Sequence, residues 1–105
     1  MASPQLEKGH TRIAHDIIQA IASSNLSSVQ IRTVLWLIRL TYGFQRKDVV
    51  TNPMAFASKL KTTEKYMTQT FDELQKLSVI TAEWATPNVC KLTLVKDFDK
   101  WKCFL

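Results

Sequence analysis

Between Leu77 and Ile80 the apolar residues change from a helical spacing to a strand spacing. Upstream, Met67, Thr70 or Phe71, Leu74 and Leu77 recur every three or four residues, which marks a helix with one apolar face. Downstream, Ile80, Ala82 and Trp84 alternate with Val79, Thr81 and Glu83. Cys90, Leu92 and Leu94 then alternate with Lys91 and Thr93. Ala85-Thr86-Pro87-Asn88 separates the two runs, so they read as a hairpin with one buried face. Such a hairpin cannot bury its apolar side alone; it covers the open side of a small helical core.

The segments before it supply that core. Ile13, Ile17, Ile18 and Ile21 share one helical stripe, with Asp16 and Gln19 opposite. A turn follows at Ser23-Ser24-Asn25. Ser27 and Gln30 then match a capping box, in which each side chain satisfies an otherwise orphan amide of the first turn. Ile31, Val34, Leu35, Ile38 and Tyr42 are the expected buried stripe of that helix, with Trp36 and Arg39 off it. Gly43 stands where a left-handed residue usually ends a helix. Phe44 to Thr51 reads as a basic loop running into a short strand, Val49 to Thr51. Asn52 caps a short helix over Pro53 to Leu60, because proline in the first turn loses no hydrogen bond. Met54, Ala57 and Leu60 are expected to face inward. Lys61 and Thr62 make a tight turn, and Thr63 caps the next helix, with Glu64 at its positive end.

A short helix, a tight turn, a second helix and a hairpin together predict a fold that is mainly α with a small β-hairpin, a winged helix-turn-helix. The expected organisation is an arm over 1–10, the domain over 11–95, and a tail over 96–105 with a short helix on which Phe98, Trp101 and Leu105 share a face. Trp101, outside that domain, is the candidate for a partner surface.

With Met67, Phe71 and Leu74 inward, Thr63, Glu64, Lys65, Thr68, Gln69 and Asp72 face outward. In a winged helix this face enters the major groove of double-stranded DNA. Gln69 can donate and accept toward adenine, Lys65 can meet phosphate or guanine, and Thr63 and Thr68 can reach phosphate or a thymine methyl. Lys59 and Lys61 flank the turn, Arg46 and Lys47 come from the preceding loop, and Asn88 and Lys91 lie at or near the wing tip. These are the candidate phosphate contacts. The balance of 14 Lys+Arg against 9 Asp+Glu, a formal net charge of +5, permits that partner without requiring it.

Two segments also resemble a known family. Pro4-Gln5, Glu7, Gly9 and Thr11-Arg12-Ile13-Ala14 match its opening pattern, and Thr41-Tyr42-Gly43-Phe44 with Arg46, Lys47 and Asp48 match its second. Over about residues 3–80 the chain resembles the N-terminal domain of the phage replication protein O family, the lambdoid-type replication initiators. That resemblance implies a winged-helix domain that binds repeated sites at a phage replication origin, in the cytoplasm of a bacterial host. Recruitment of other replication proteins would fall to regions absent from this chain. Thr63 takes the place of the serine that opens the family's recognition helix. Glu64 and Lys65 stand where it often has two basic residues, and Thr68 and Gln69 where it often has Ser-Arg. His10 replaces the usual aromatic residue, His15 the usual asparagine, and Lys61 the usual glycine of the turn.

Catalysis is not expected. The chain has no GxxxxGK[ST], GxSxG or HExxH motif, and two glycines cannot form a phosphate loop. His10 and His15 lack a third ligand, and Cys90 and Cys103 do not form a CxxC pair, so no metal or cofactor is expected. The two cysteines read as free thiols. The longest apolar run, Val34 to Ile38, is five residues, far short of a membrane span. No heptad seam points to a dimer. The alternatives are a transcriptional regulator with the same fold and a phage protein-interaction or inhibitor module.

Overall fold

Where a cap is written in the sequence, a helix begins. The computed structural model describes residues 9–104; the proposed arm through residue 8, with Pro4, Gln5 and Glu7, and Leu105 lie outside the described residues. Helix α1 spans His15–Ser23 and α2 spans Ser28–Thr41. Both halves of the capping box form at α2: Gln30 N donates to Ser27 Oγ at 3.3 Å, and Ser27 N donates to Gln30 Oε1 at 2.9 Å. Asn52 Oδ1 accepts from Ala55 N at 2.8 Å, opening α3 (Pro53–Leu60). Thr63 Oγ1 accepts from Tyr66 N at 3.1 Å, opening α4 (Glu64–Lys76). Strands β1 (Asp48–Thr51), β2 (Ile80–Thr86) and β3 (Val89–Leu94) form one antiparallel sheet in the order β1-β3-β2. The expected hairpin is thus two strands of a three-stranded sheet, with β1 on the outer edge of β3.

The inward faces differ from expectation in instructive ways. α2 buries Thr33, Val34, Leu37, Ile38 and Thr41, while Leu35 is 53% exposed and Ile31 and Tyr42 are half-buried. α2 packs against α3, α4, β1 and β3, so it needs a broad buried face. Two threonines fit because their hydroxyls bond back to the helix, Thr33 to the Val29 carbonyl and Thr41 to the Leu37 carbonyl. A bonded buried hydroxyl costs little. In α3 the inward set is Pro53, Phe56, Ala57 and Leu60, and Met54 faces out. In α1 Ala20 joins Ile17 and Ile21, leaving Ile18 outward.

Gly43 does not end α2 in a left-handed conformation. The chain continues into a 3-10 turn, Tyr42–Phe44, and Gln45 takes the left-handed position at φ 56°. What Gly43 supplies is space: a Cβ there would stand 2.9 Å from Arg39 Nη1 and 3.1 Å from Thr11 Oγ1.

The joint between α3 and α4 is tightly held. Lys61 is left-handed at φ 58°, Thr62 N donates to the Ala57 carbonyl, and the Arg32 guanidinium donates to the Leu60 carbonyl. The turn therefore forms without glycine, at a cost in backbone strain. Lys61→Gly is expected to stabilise the domain by roughly 0.5–1 kcal/mol, the relieved strain minus glycine's extra unfolded-state entropy. Thermal unfolding checks this; an unchanged or lower Tm would mean that the lysine stem contributes as much as the strain costs.

The core gathers around Phe56 and Phe71, whose rings meet edge to face at 5.1 Å. Val34, Leu37, Met67, Leu74, Val79, Ile80, Cys90 and Leu92 surround them, each at most 1% exposed. Burial pushes the Cys90 thiol up to about 11, and both cysteines are free and buried. The tail completes this core. Trp101, expected on a partner surface, is 4% exposed, and its Nε1 donates to the Val95 carbonyl at 2.8 Å. Lys102 N donates to the Leu77 carbonyl, and Asn25 N to the Cys103 carbonyl. Its regular structure is a 3-10 turn, Phe98–Lys100, rather than a helix carrying Trp101.

Candidate nucleic-acid interface

Helix α4 is strongly two-sided. Met67, Thr70, Phe71 and Leu74 face the core, so Thr63, Glu64, Lys65, Thr68, Gln69 and Asp72 are left in solvent. Across from them stands Trp84 of β2. Glu64, Lys65, Thr68, Gln69, Asp72 and Trp84 line one groove of about 680 Å³. Trp84 pairs with Cys90 and so projects from the sheet face that covers the helices. It is nonetheless 41% exposed, because the ribbon runs past the end of the core and shifts register between Trp84 and Thr86. The expectation of a buried Trp84 is corrected accordingly, and the groove gains an aromatic wall.

The groove is polar rather than strongly basic. Lys65 shares it with Glu64 and Asp72, and Asp72 pairs with Lys76 at 3.0 Å, an exposed contact that water screens. Gln69 Nε2 donates to Glu73 Oε2 at 3.3 Å, while Glu73 Oε1 accepts from Gln30 Nε2 at 3.2 Å. The Glu73 carboxylate thus links Gln69 to α2. Thr68 Oγ1 donates to the Glu64 carbonyl at 3.0 Å. Tyr66, overlooked among the candidates, is 49% exposed beside them on the first turn.

Of the flanking cations, Lys61 and Lys59 are exposed at the α3–α4 joint, with Lys59 Nζ lying 5.7 Å from the Trp36 ring centroid. Asn88 is exposed at the hairpin tip. Lys91 lies on the outer sheet face, opposite to the Trp84 side, with Nζ 3.1 Å from Glu83. The Glu83 hydrogen bond and charge, and more weakly the Asp48 charge, raise its pKa. Arg46 and Lys47 are not brought to the α4 groove. They line a second hollow of about 580 Å³ with Arg12, Tyr42 and Lys96. Strand register explains the separation: Asp48 pairs with Thr93, whereas the hairpin tip lies beyond Cys90. From Thr93 back to Asn88 the ribbon covers roughly 17 Å, at about 3.4 Å per residue.

The geometry defines a small helical domain closed by a three-stranded antiparallel sheet, with a polar groove between α4 and Trp84 of β2. The chain belongs to the bacteriophage replication protein O family, whose model matches residues 3–101. No curated protein matches the chain, and no solved structure does. Among the described residues, no helix is long and apolar enough to cross a membrane.

Proposed function

We propose that this chain is a winged helix-turn-helix that binds double-stranded DNA sequence-specifically, at repeated sites of a phage replication origin. The observation that carries the reading is the open polar side of α4, with Glu64, Lys65, Thr68 and Gln69 in a groove beside Trp84. Family membership supports it, as does the order α3, tight turn, α4, hairpin. α4 enters the major groove, Gln69 reads an adenine edge, and Lys65 meets phosphate or guanine. Thr63 and Thr68 reach phosphate or a thymine methyl. Lys59, Lys61 and Asn88 contact the backbone on either side of the groove, and such contacts fix position rather than sequence. No catalytic step enters this function; it is equilibrium binding.

Affinity for duplexes drawn from a random pool, measured across salt concentrations, tests the proposal. A steep salt dependence with a retained preference for one sequence is expected. Equal affinity for every duplex would overturn origin recognition. Gln69→Ala is expected to relax the preference at one base pair, at a cost of about 1–3 kcal/mol for the preferred site. Because Gln69 must leave Glu73 to read a base, a lower value within that range is expected. An unchanged preference would show that another residue reads that position.

Glu64 and Asp72 in the same groove favour one second reading, a protein-interaction module, since both would repel phosphate. Absence of duplex binding at low salt would favour it. A transcriptional regulator would differ from the first reading in binding promoter sites instead of origin repeats.

A further inference from the structure

The second hollow concentrates charge without neutralising it. Arg12, Arg46, Lys47 and Lys96 line it together with Tyr42 and Phe98. Among the described residues, none of the four cations forms an ion pair. Asp16, on the first turn of α1, is the acid in the lining. Lys96 Nζ sits 5.7 Å from the Tyr42 ring centroid, so one wall is a cation on an aromatic face. The Tyr42 hydroxyl is buried and has no hydrogen-bond partner among the described residues. The hollow is open to solvent and has a volume of about 580 Å³, room for a small ligand.

We infer that this hollow binds a nucleotide phosphate, free or carried as one unit of an unpaired strand. The guanidiniums of Arg12 and Arg46 offer forked donors that match phosphate oxygens, and Lys47 and Lys96 add point charge. Ile17, Tyr42 and Phe98 provide apolar surface for the sugar or base. An acidic peptide would use the cations and leave that surface uncovered. A hollow of this volume accommodates a single nucleotide. It lies at the sheet end remote from the hairpin tip, so the inference does not depend on α4 reading DNA.

The test uses the full chain and a fluorescein-labelled oligothymidylate, with anisotropy read over a range of salt. The native chain is expected to bind it. The R46Q/K96Q variant is expected to bind more weakly, with a log–log salt slope lower by about 0.7 for each lost contact. A control, K76Q/K102Q, removes equal charge from residues outside the hollow and is expected to bind as the native chain does. Thermal unfolding of both variants confirms that they are folded. Displacement by thymidine monophosphate would assign the site to a free nucleotide; failure to displace would assign it to a strand. The inference is overturned if the native chain does not bind, or if R46Q/K96Q retains native affinity. Equal weakening in both variants, or displacement by polyglutamate as effective as by unlabelled strand, would overturn it too. The fate of sequence preference in Gln69→Ala is read on duplexes, so the two proposals fail separately.

Discussion

Trp101→Ala is expected to destabilise the domain by about 3–5 kcal/mol, the usual cost of removing a large buried aromatic side chain. Apolar burial is one part: Trp101 is 4% exposed and has Phe104 stacked over it at 6.3 Å. The other part is the hydrogen bond from its Nε1, whose loss leaves the Val95 carbonyl without that donor. The effect reaches the α4 groove through the backbone. Lys102 N holds the Leu77 carbonyl, at the bend where α4 gives way to β2, and Asn25 N holds the Cys103 carbonyl. A domain stabilised by the typical ~5–15 kcal/mol would lose a large share of that margin. Denaturant unfolding checks the value. A loss below about 1 kcal/mol, within the ordinary range for surface substitutions and small losses, would mean that the tail merely lies on the core.

The second large effect is expected at Phe71. Phe71→Ala should cost about 3–5 kcal/mol through lost burial and the cavity left behind. The edge-to-face contact with Phe56, at 5.1 Å and 88°, adds to the loss beyond area alone. This pair ties α3 to α4, so the angle between them, and with it the direction of the outward residues, rests on it. At a temperature where the variant remains folded, its affinity for the preferred duplex is expected to fall while Gln69 and Lys65 are intact. Unfolding measurements and duplex titration, made on one sample, separate the two consequences. Native stability in the variant would show that the core closes over the missing ring.

The starts of α2, α3 and α4 were legible because each is set within one turn of chain. Ser27 with Gln30, Asn52 with Pro53, and Thr63 each cap a helix through contacts three residues apart. The hairpin was legible for a similar reason, since alternation around a Pro-Asn turn needs no distant partner. Stripe positions were less so. A helix packed on several elements, as α2 is, buries small polar residues as readily as aliphatic ones once their hydroxyls bond to the helix. Thr33 and Thr41 therefore displaced Leu35 from the inward side, which polarity alone could not reveal.

The site divides along the same line. The outward face of α4 followed from its period, and the structure opens all five of Thr63, Glu64, Lys65, Thr68 and Gln69 to solvent. Trp84 beside them depended on how far the ribbon overhangs the core. The sequence by itself determined where α2, α3 and α4 start and which residues of α4 turn away from the core, because those are short-range matters of capping and periodicity. Tertiary structure alone decided that β1 pairs with β3, that Trp101 is buried, and that Arg46 and Lys47 stand with Arg12 and Lys96, away from α4. Strand register and the burial of the tail join residues tens of positions apart, and no local pattern encodes which distant partner completes a sheet edge or closes a core.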